Sequence, residues 1–124
     1  SLKGKKVVLY FFPKAFTSGC TIETKKFAEL YEEFRKLNSE VIGVSADSVD
    51  TLRRFAEKLG VGFPLVSDSD LRIIRSYGVL SSSGKSASRT TFIIDERGIV
   101  RAVLKNLKSA DEHATRSLEI LRSL

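Results

Sequence analysis

The sequence predicts an α/β fold of three layers, a central mixed sheet with helices on both faces. Three observations predict it. Residues 7–12, VVLYFF, are apolar at every position, as in a strand covered on both sides. Stretches of helical periodicity alternate with further short apolar runs, which calls for a mostly parallel sheet. Two late runs, residues 90–94 and 99–104, flank the turn-forming Glu96-Arg97-Gly98 and read as a hairpin that adds antiparallel strands at one side.

The elements follow in order. Behind the first strand, Phe27, Leu30, Tyr31, Phe34 and Leu37 recur at i, i+3, i+4, i+7 and i+10, one face of a helix over residues 21–37. Residues 41–44 form a second strand. Ser48 opens a second helix through Val49, Leu52, Phe55, Ala56 and Leu59, and Gly60 is placed to close it in the left-handed conformation. Residues 63–66, apolar behind Gly62, read as a third strand. A brief helix over residues 70–77 is stopped by Gly78. Residues 80–88, with five serines and a glycine, form a polar loop. After the hairpin, a last helix starts near Asp111 and carries Ala114, Leu118 and Leu121 on one face.

The 124 residues fit one domain, since single cores commonly span about 100–150. At 42% hydrophobic and 29% charged residues the chain can bury a core, which excludes a disordered tail. The longest apolar run ends at Pro13, far short of the roughly 20 residues that cross a bilayer, so no membrane partner is expected. The basic residues Lys3, Lys5 and Lys6 ahead of it imitate a signal peptide, but no small-residue cleavage pattern follows. The chain starts without methionine and reaches its first strand almost at once, as a processed or trimmed form would. The 21 basic and 15 acidic residues leave a net charge of +6. Acids are interspersed among the basic pairs Lys5-Lys6, Lys25-Lys26 and Arg53-Arg54, and the aromatics fall at core-facing positions. A solvated charged surface is therefore expected, and nucleic acid is not.

One cysteine excludes an intrachain disulfide scaffold and any Cys-x-x-Cys zinc or redox pair. The lone histidine, His113, is far in sequence from Cys20 and reads as a solvent-side helix residue, so neither a metal nor a cofactor is expected. In open α/β sheets ligands sit beyond the carboxyl ends of the strands, and the segment leaving the first strand there is residues 13–20. Cys20 thus falls at the start of the first helix. Unpaired backbone N–H groups and the positive end of the helix dipole stabilise an anion at that end, and a thiolate is such an anion. The alternative is a small buried cysteine acting as a hydrophobe. The small or polar neighbours Ser18, Gly19 and Thr21 favour the reactive reading.

The surrounding pattern is Pro13-x-x-x-Thr17-x-x-Cys20-Thr21-x-Glu23, within FFPKAFTSGCTIE. It resembles the active-site signature of peroxiredoxins, and of their bacterioferritin-comigratory (PrxQ-like) branch in particular. The segments VSADS (44–48), FPLVSD (63–68), YGV (77–79) and RTTFIID (89–95) resemble that branch in the same order, so the likeness runs from Gly4 onward. It implies a thioredoxin-like fold, in agreement with the element order, and a thiol-dependent peroxidase acting on hydrogen peroxide and organic hydroperoxides. It also implies a role for each residue. Cys20 would attack the peroxide and become a sulfenic acid. Thr17 would hold the peroxide or the thiolate, Arg89 would set a permanent positive charge against sulfur, Pro13 would wall the pocket, and Glu23 would anchor Arg89. Taken singly, each has a plainer reading: Thr17 as a helix N-cap, Arg89 as a surface arginine, Pro13 as a strand stop, Glu23 as a first-turn acid.

Many relatives in this branch carry a second, resolving cysteine five residues after the first, where this chain has Lys25. An external thiol such as thioredoxin is therefore the expected reductant; pairing of two subunits through Cys20, or a cysteine upstream of Ser1, are the other routes. A thioredoxin-type reductase is disfavoured, because Thr17 stands at the first position of its C-x-x-C and Ser88-Arg89-Thr90 lacks its strand-preceding proline. A redox-responsive binding protein that does not turn over is the rival function. The expected setting is the cytoplasm, and the expected state a monomer or weak dimer.

Overall fold

A computed structural model describes residues 4–124; residues 1–3, including Lys3 of the basic patch and the chain start, lie outside the described residues. The elements run β1 (Lys6–Phe11), α1 (Ser18–Lys36), β2 (Ser39–Ser45), α2 (Val49–Leu59), β3 (Leu65–Ser67), α3 (Arg72–Ser76), β4 (Thr90–Ile94), β5 (Val100–Leu104) and α4 (Glu112–Arg122). This is the predicted order. The five strands form one mixed sheet, β3-β2-β1-β4-β5, with β1 parallel to β2 and antiparallel to β4.

Alternation along β1 builds both faces of the core. Val8, Tyr10 and Phe12 point to one side and pack with Phe27 and Phe34 of α1, Leu52 and Phe55 of α2, and Leu118 and Leu121 of α4. Val7, Leu9 and Phe11 point to the other and pack with Ile74 of α3, Val79 and Ala87. Both faces are dry, which is why the run is apolar throughout rather than alternating. Tyr10 stacks on Phe27 with ring centroids 4.3 Å apart, and its hydroxyl donates to Thr24 at 3.0 Å, so its one polar atom is satisfied in the interior.

Caps and turns account for the element ends. Ser48 accepts the Thr51 N–H and starts α2, and Gly60 closes it with φ +67°, a conformation that costs glycine nothing. The third strand begins two residues later than periodicity suggested, because Pro64 has no N–H for the ladder and contributes only its carbonyl, which accepts from Gly43. α3 is shorter than expected. Its start is set by the buried Asp68, whose carboxylate accepts from the Ile73 and Ile74 N–H groups. On the outer faces of the helices, basic side chains pair with acids three or four residues away, as in Lys26–Glu29, Arg35–Glu32, Lys36–Glu33 and Arg54–Asp50.

Candidate active site

The chain leaves β1 at Phe11 and turns through residues 12–17 into α1. Phe16 sits in the left-handed region at φ +67°, which costs a non-glycine residue about 1–2 kcal/mol, and Thr17 is extended in the last position before the helix. Asp47 pins this turn from beyond the end of β2. Its Oδ2 accepts from the Ala15 N–H at 2.8 Å and from the Ser45 hydroxyl at 2.7 Å. Cys20 is thereby fixed as the third residue of α1, with no solvent exposure.

The opposite wall comes from a segment 69 residues away. Because β4 runs antiparallel to β1 with Thr90 opposite Phe11, Arg89 is delivered beside the 12–17 turn. Its Nη1 donates to Glu23 Oε1 at 2.6 Å and faces Cys20 Sγ at 3.6 Å. The Lys14 backbone N–H donates to the same sulfur at 3.5 Å. A Cβ on Gly19 would stand 2.8 Å from Arg89 Nη2, so the guanidinium lies across the first turn of α1 only because that residue is glycine.

Glu23 follows Cys20 by one helical turn and is wholly buried. Burial pushes its carboxyl from 4.5 up to about 8, although the charge and hydrogen bond of Arg89 pull the other way. For Arg89, burial works against the charged form, but Glu23 and Cys20 outweigh it and raise the guanidinium further, so the cation is permanent. The sulfur therefore faces a fixed positive charge and a backbone donor, an arrangement that stabilises a thiolate and the negative charge of a departing oxygen.

Three residues singled out in the sequence, Cys20, Glu23 and Arg89, converge directly. Pro13 is half-buried at the end of β1 and lines a depression of about 270 Å³ with Lys14, Ala46, Asp47, Lys85 and Ser86. Thr17 is exposed, and it does not cap α1. Its hydroxyl donates instead to the Lys14 carbonyl at 2.6 Å, which ties the turn together three residues before the cysteine.

His113 corrects an expectation. It was placed on the solvent side of the last helix, yet it is 2% exposed and faces inward. The apolar positions Ala114, Leu118 and Leu121 mark only part of the buried stripe, which His113 and Ser117 widen. A polar stripe edge carries no hydrophobic signal, so periodicity missed it. His113 Nδ1 lies 2.7 Å from Thr91 Oγ1 of β4 and 3.8 Å from Glu23 Oε2. The Lys14 N–H and Asp47 were also missed as site groups: a backbone donor leaves no trace in residue identity, and Asp47 stood only within a segment of family likeness.

A buried cysteine at a helix N-terminus, faced by a half-buried arginine on a thioredoxin-like sheet, defines a thiol-redox class of protein. The sequence profile of the AhpC/TSA family matches residues 1–103. The putative peroxiredoxin bcp of Coxiella burnetii is 41% identical over 113 residues, covering 86% of this chain and 75% of that one. The chloroplastic peroxiredoxin Q of Sedum lineare is 37% identical over 123 residues, covering 98% of this chain and 66% of that one. The crystal structure of peroxidoxin BcpB from Mycobacterium tuberculosis matches with a TM-score of 0.91 at 36% identity, over 99% of this chain and 82% of that one. The chain belongs to the AhpC/TSA family, within its peroxiredoxin Q and bacterioferritin comigratory branch. It spans 56–66% of the length of the plant relatives.

Proposed function

We propose that this protein is a thiol-dependent peroxidase that reduces hydrogen peroxide and organic hydroperoxides, with Cys20 as its nucleophile. The observation that carries the reading is the meeting of the Arg89 guanidinium and the Lys14 N–H on the Cys20 sulfur. The thiolate attacks one peroxide oxygen. An S–O bond forms, the O–O bond breaks, and the other oxygen leaves as hydroxide or alkoxide, which takes a proton from water. Sulfur loses two electrons and the peroxide gains them. Arg89 offers positive charge to both the attacking sulfur and the leaving oxygen. Thr17, having given its own proton to the Lys14 carbonyl, keeps its lone pairs free to accept from the peroxide O–H. Pro13, without an N–H, helps close the pocket to water. Glu23 keeps Arg89 aimed at sulfur.

Cys20 has no exposed surface, so access of peroxide to it requires a local opening of the site. The substrate class agrees with a bacterioferritin comigratory protein of Xanthomonas campestris, whose structures concern alkyl peroxide reduction; it matches with 36% identity and a TM-score of 0.90 over 98% of this chain and 81% of that one.

Lys25 is exposed on α1 where a resolving cysteine stands in many relatives, and the chain has no second cysteine. In this reading the sulfenic acid is reduced by a thiol from outside residues 1–124. One thiol attacks its sulfur and releases water, and a second resolves the mixed disulfide, so two thiols return two electrons. A compartment that keeps thiols reduced, such as the cytoplasm, suits this cycle. Intact mass after one equivalent of hydrogen peroxide tests it. The expected product is the monomer plus one oxygen atom, which a small thiol converts to a mixed disulfide; a disulfide-linked dimer would contradict the external-thiol route.

A further inference from the structure

His113, Glu23 and Thr91 form a buried polar cluster behind the cysteine, and its inner atoms are only partly satisfied. Arg89 occupies Glu23 Oε1, while Oε2 has no hydrogen-bond partner and is wholly enclosed. A buried carboxyl oxygen without a partner costs about 1–3 kcal/mol, so the fold is under pressure to supply one. His113 Nδ1 stands 3.8 Å away on α4 and is hydrogen-bonded to Thr91 Oγ1 at 2.7 Å. At 3.8 Å the contact is not a hydrogen bond, but a small rotation of the carboxyl closes it.

We infer that His113 is a positioning residue: its Nδ1 is the second anchor of Glu23, holding Oε2 so that Oε1 keeps the Arg89 guanidinium on the Cys20 sulfur. Imidazole suits this place because it meets the carboxyl in either protonation state. Nδ1 has a single in-plane position, so Oε2 engages it by sharing or displacing the Thr91 hydroxyl that holds it at 2.7 Å: Nδ1 accepts when Oε2 carries a proton, and Nδ1–H donates when Glu23 is a carboxylate. Burial, and then the Arg89 charge, push His113 down to about 4, while burial pushes Glu23 up to about 8. The imidazole is thus neutral near pH 7, and the shared proton rests on the carboxyl. Arg89 then keeps its full positive charge for sulfur, and ionisation of Glu23 above about 8 partly neutralises it. The other titratable or charged groups facing this cluster are Cys20 on α1, Tyr10 on β1, Arg89 before β4 and Glu112 on α4. Lys105 shares with Arg89 and His113 the lining of a cavity of about 310 Å³.

The inference rests on the peroxidase reading, and its test separates the two. His113 is the only histidine, so protein labelled with ¹⁵N-histidine gives a single ring whose shifts can be followed against pH. In the wild type the ring should report a transition near 8 that Glu23→Gln abolishes. A ring insensitive to pH there, or unchanged by Glu23→Gln, overturns the inference whatever the peroxidase activity. In parallel, the rate of Cys20 oxidation by hydrogen peroxide is measured for His113→Phe and His113→Asn. Phenylalanine should slow it about tenfold, as expected for the loss of one buried hydrogen bond that orients Glu23, with near-native circular dichroism. Asparagine, whose amide occupies the place of Nδ1 and can donate or accept, should restore most of the loss. Equal rates in His113→Phe and wild type, or no rescue by asparagine, would also overturn it. Failure of wild-type Cys20 to react with peroxide counts against the peroxidase reading, and leaves the ring titration to decide the anchor.

Discussion

Cys20→Ser is expected to lose peroxide consumption by roughly four orders of magnitude or more, the scale seen when a catalytic nucleophile is removed. The reason is chemical rather than structural. A serine hydroxyl does not ionise near neutral pH, and oxygen attacks a peroxide far less readily than sulfur, so the Arg89 and Lys14 donors would surround an atom that cannot use them. The substitution is small and the site is already polar, so the fold should survive. Ser18 and Thr17 offer no substitute nucleophile, since both are exposed hydroxyls that do not ionise near neutral pH. The check is consumption of hydrogen peroxide under excess thiol, with circular dichroism to verify folding. Unchanged consumption in Cys20→Ser would refute the assignment.

Arg89→Ala should follow, with a loss of about 10²–10³-fold, the size attached to one charged donor aimed at developing negative charge. Lysine should recover little, because a single ammonium cannot lie across Gly19 and serve Glu23 and the sulfur together. This variant also carries a stability signature that a surface arginine would not. Its removal strips Glu23 of the hydrogen bond at 2.6 Å and leaves a wholly buried carboxyl. The sign follows from the raised carboxyl value. A folded pKa above the unfolded one means that the native state binds the proton more tightly, so stability is greatest below 4.5 and is lost as pH rises through about 8. Without Arg89 the folded carboxyl ionises at still higher pH, so the two proteins lose stability in parallel up to about 8 and the deficit against wild type should widen only above it. Its upper end should approach the about 3–5 kcal/mol of a broken buried pair. Urea unfolding at acid and alkaline pH measures it. A deficit independent of pH would show that Glu23 does not depend on Arg89.

Parts of this arrangement are written locally in the chain. The VVLYFF run declares a strand buried on both faces, and Gly60 declares the end of α2 because only its φ of +67° is required there. Cys20 was legible because a helix start beyond a central strand is a physical address, and the spacing to Pro13, Thr17 and Glu23 is short-range. Arg89 was legible only through family likeness. Its approach depends on Thr90 pairing with Phe11, a register set by the whole sheet. His113 was misread for a related reason: what buries it is the packing of α4 over β4, and its partners Thr91 and Glu23 come from two other elements. The Lys14 N–H was invisible because every residue but proline has one.

The sole cysteine also shapes how the cycle must close. With Lys25 exposed on α1 and no second thiol within residues 1–124, the proposed cycle draws on a thiol from outside these residues. Steady-state reduction of hydrogen peroxide, measured with and without thioredoxin and a panel of small thiols, tests the central claim most directly. The account predicts many turnovers per chain with at least one donor, and a single equivalent of peroxide consumed without any. Consumption that stops at one equivalent with every donor would contradict it, and would mark a protein that senses peroxide rather than removing it.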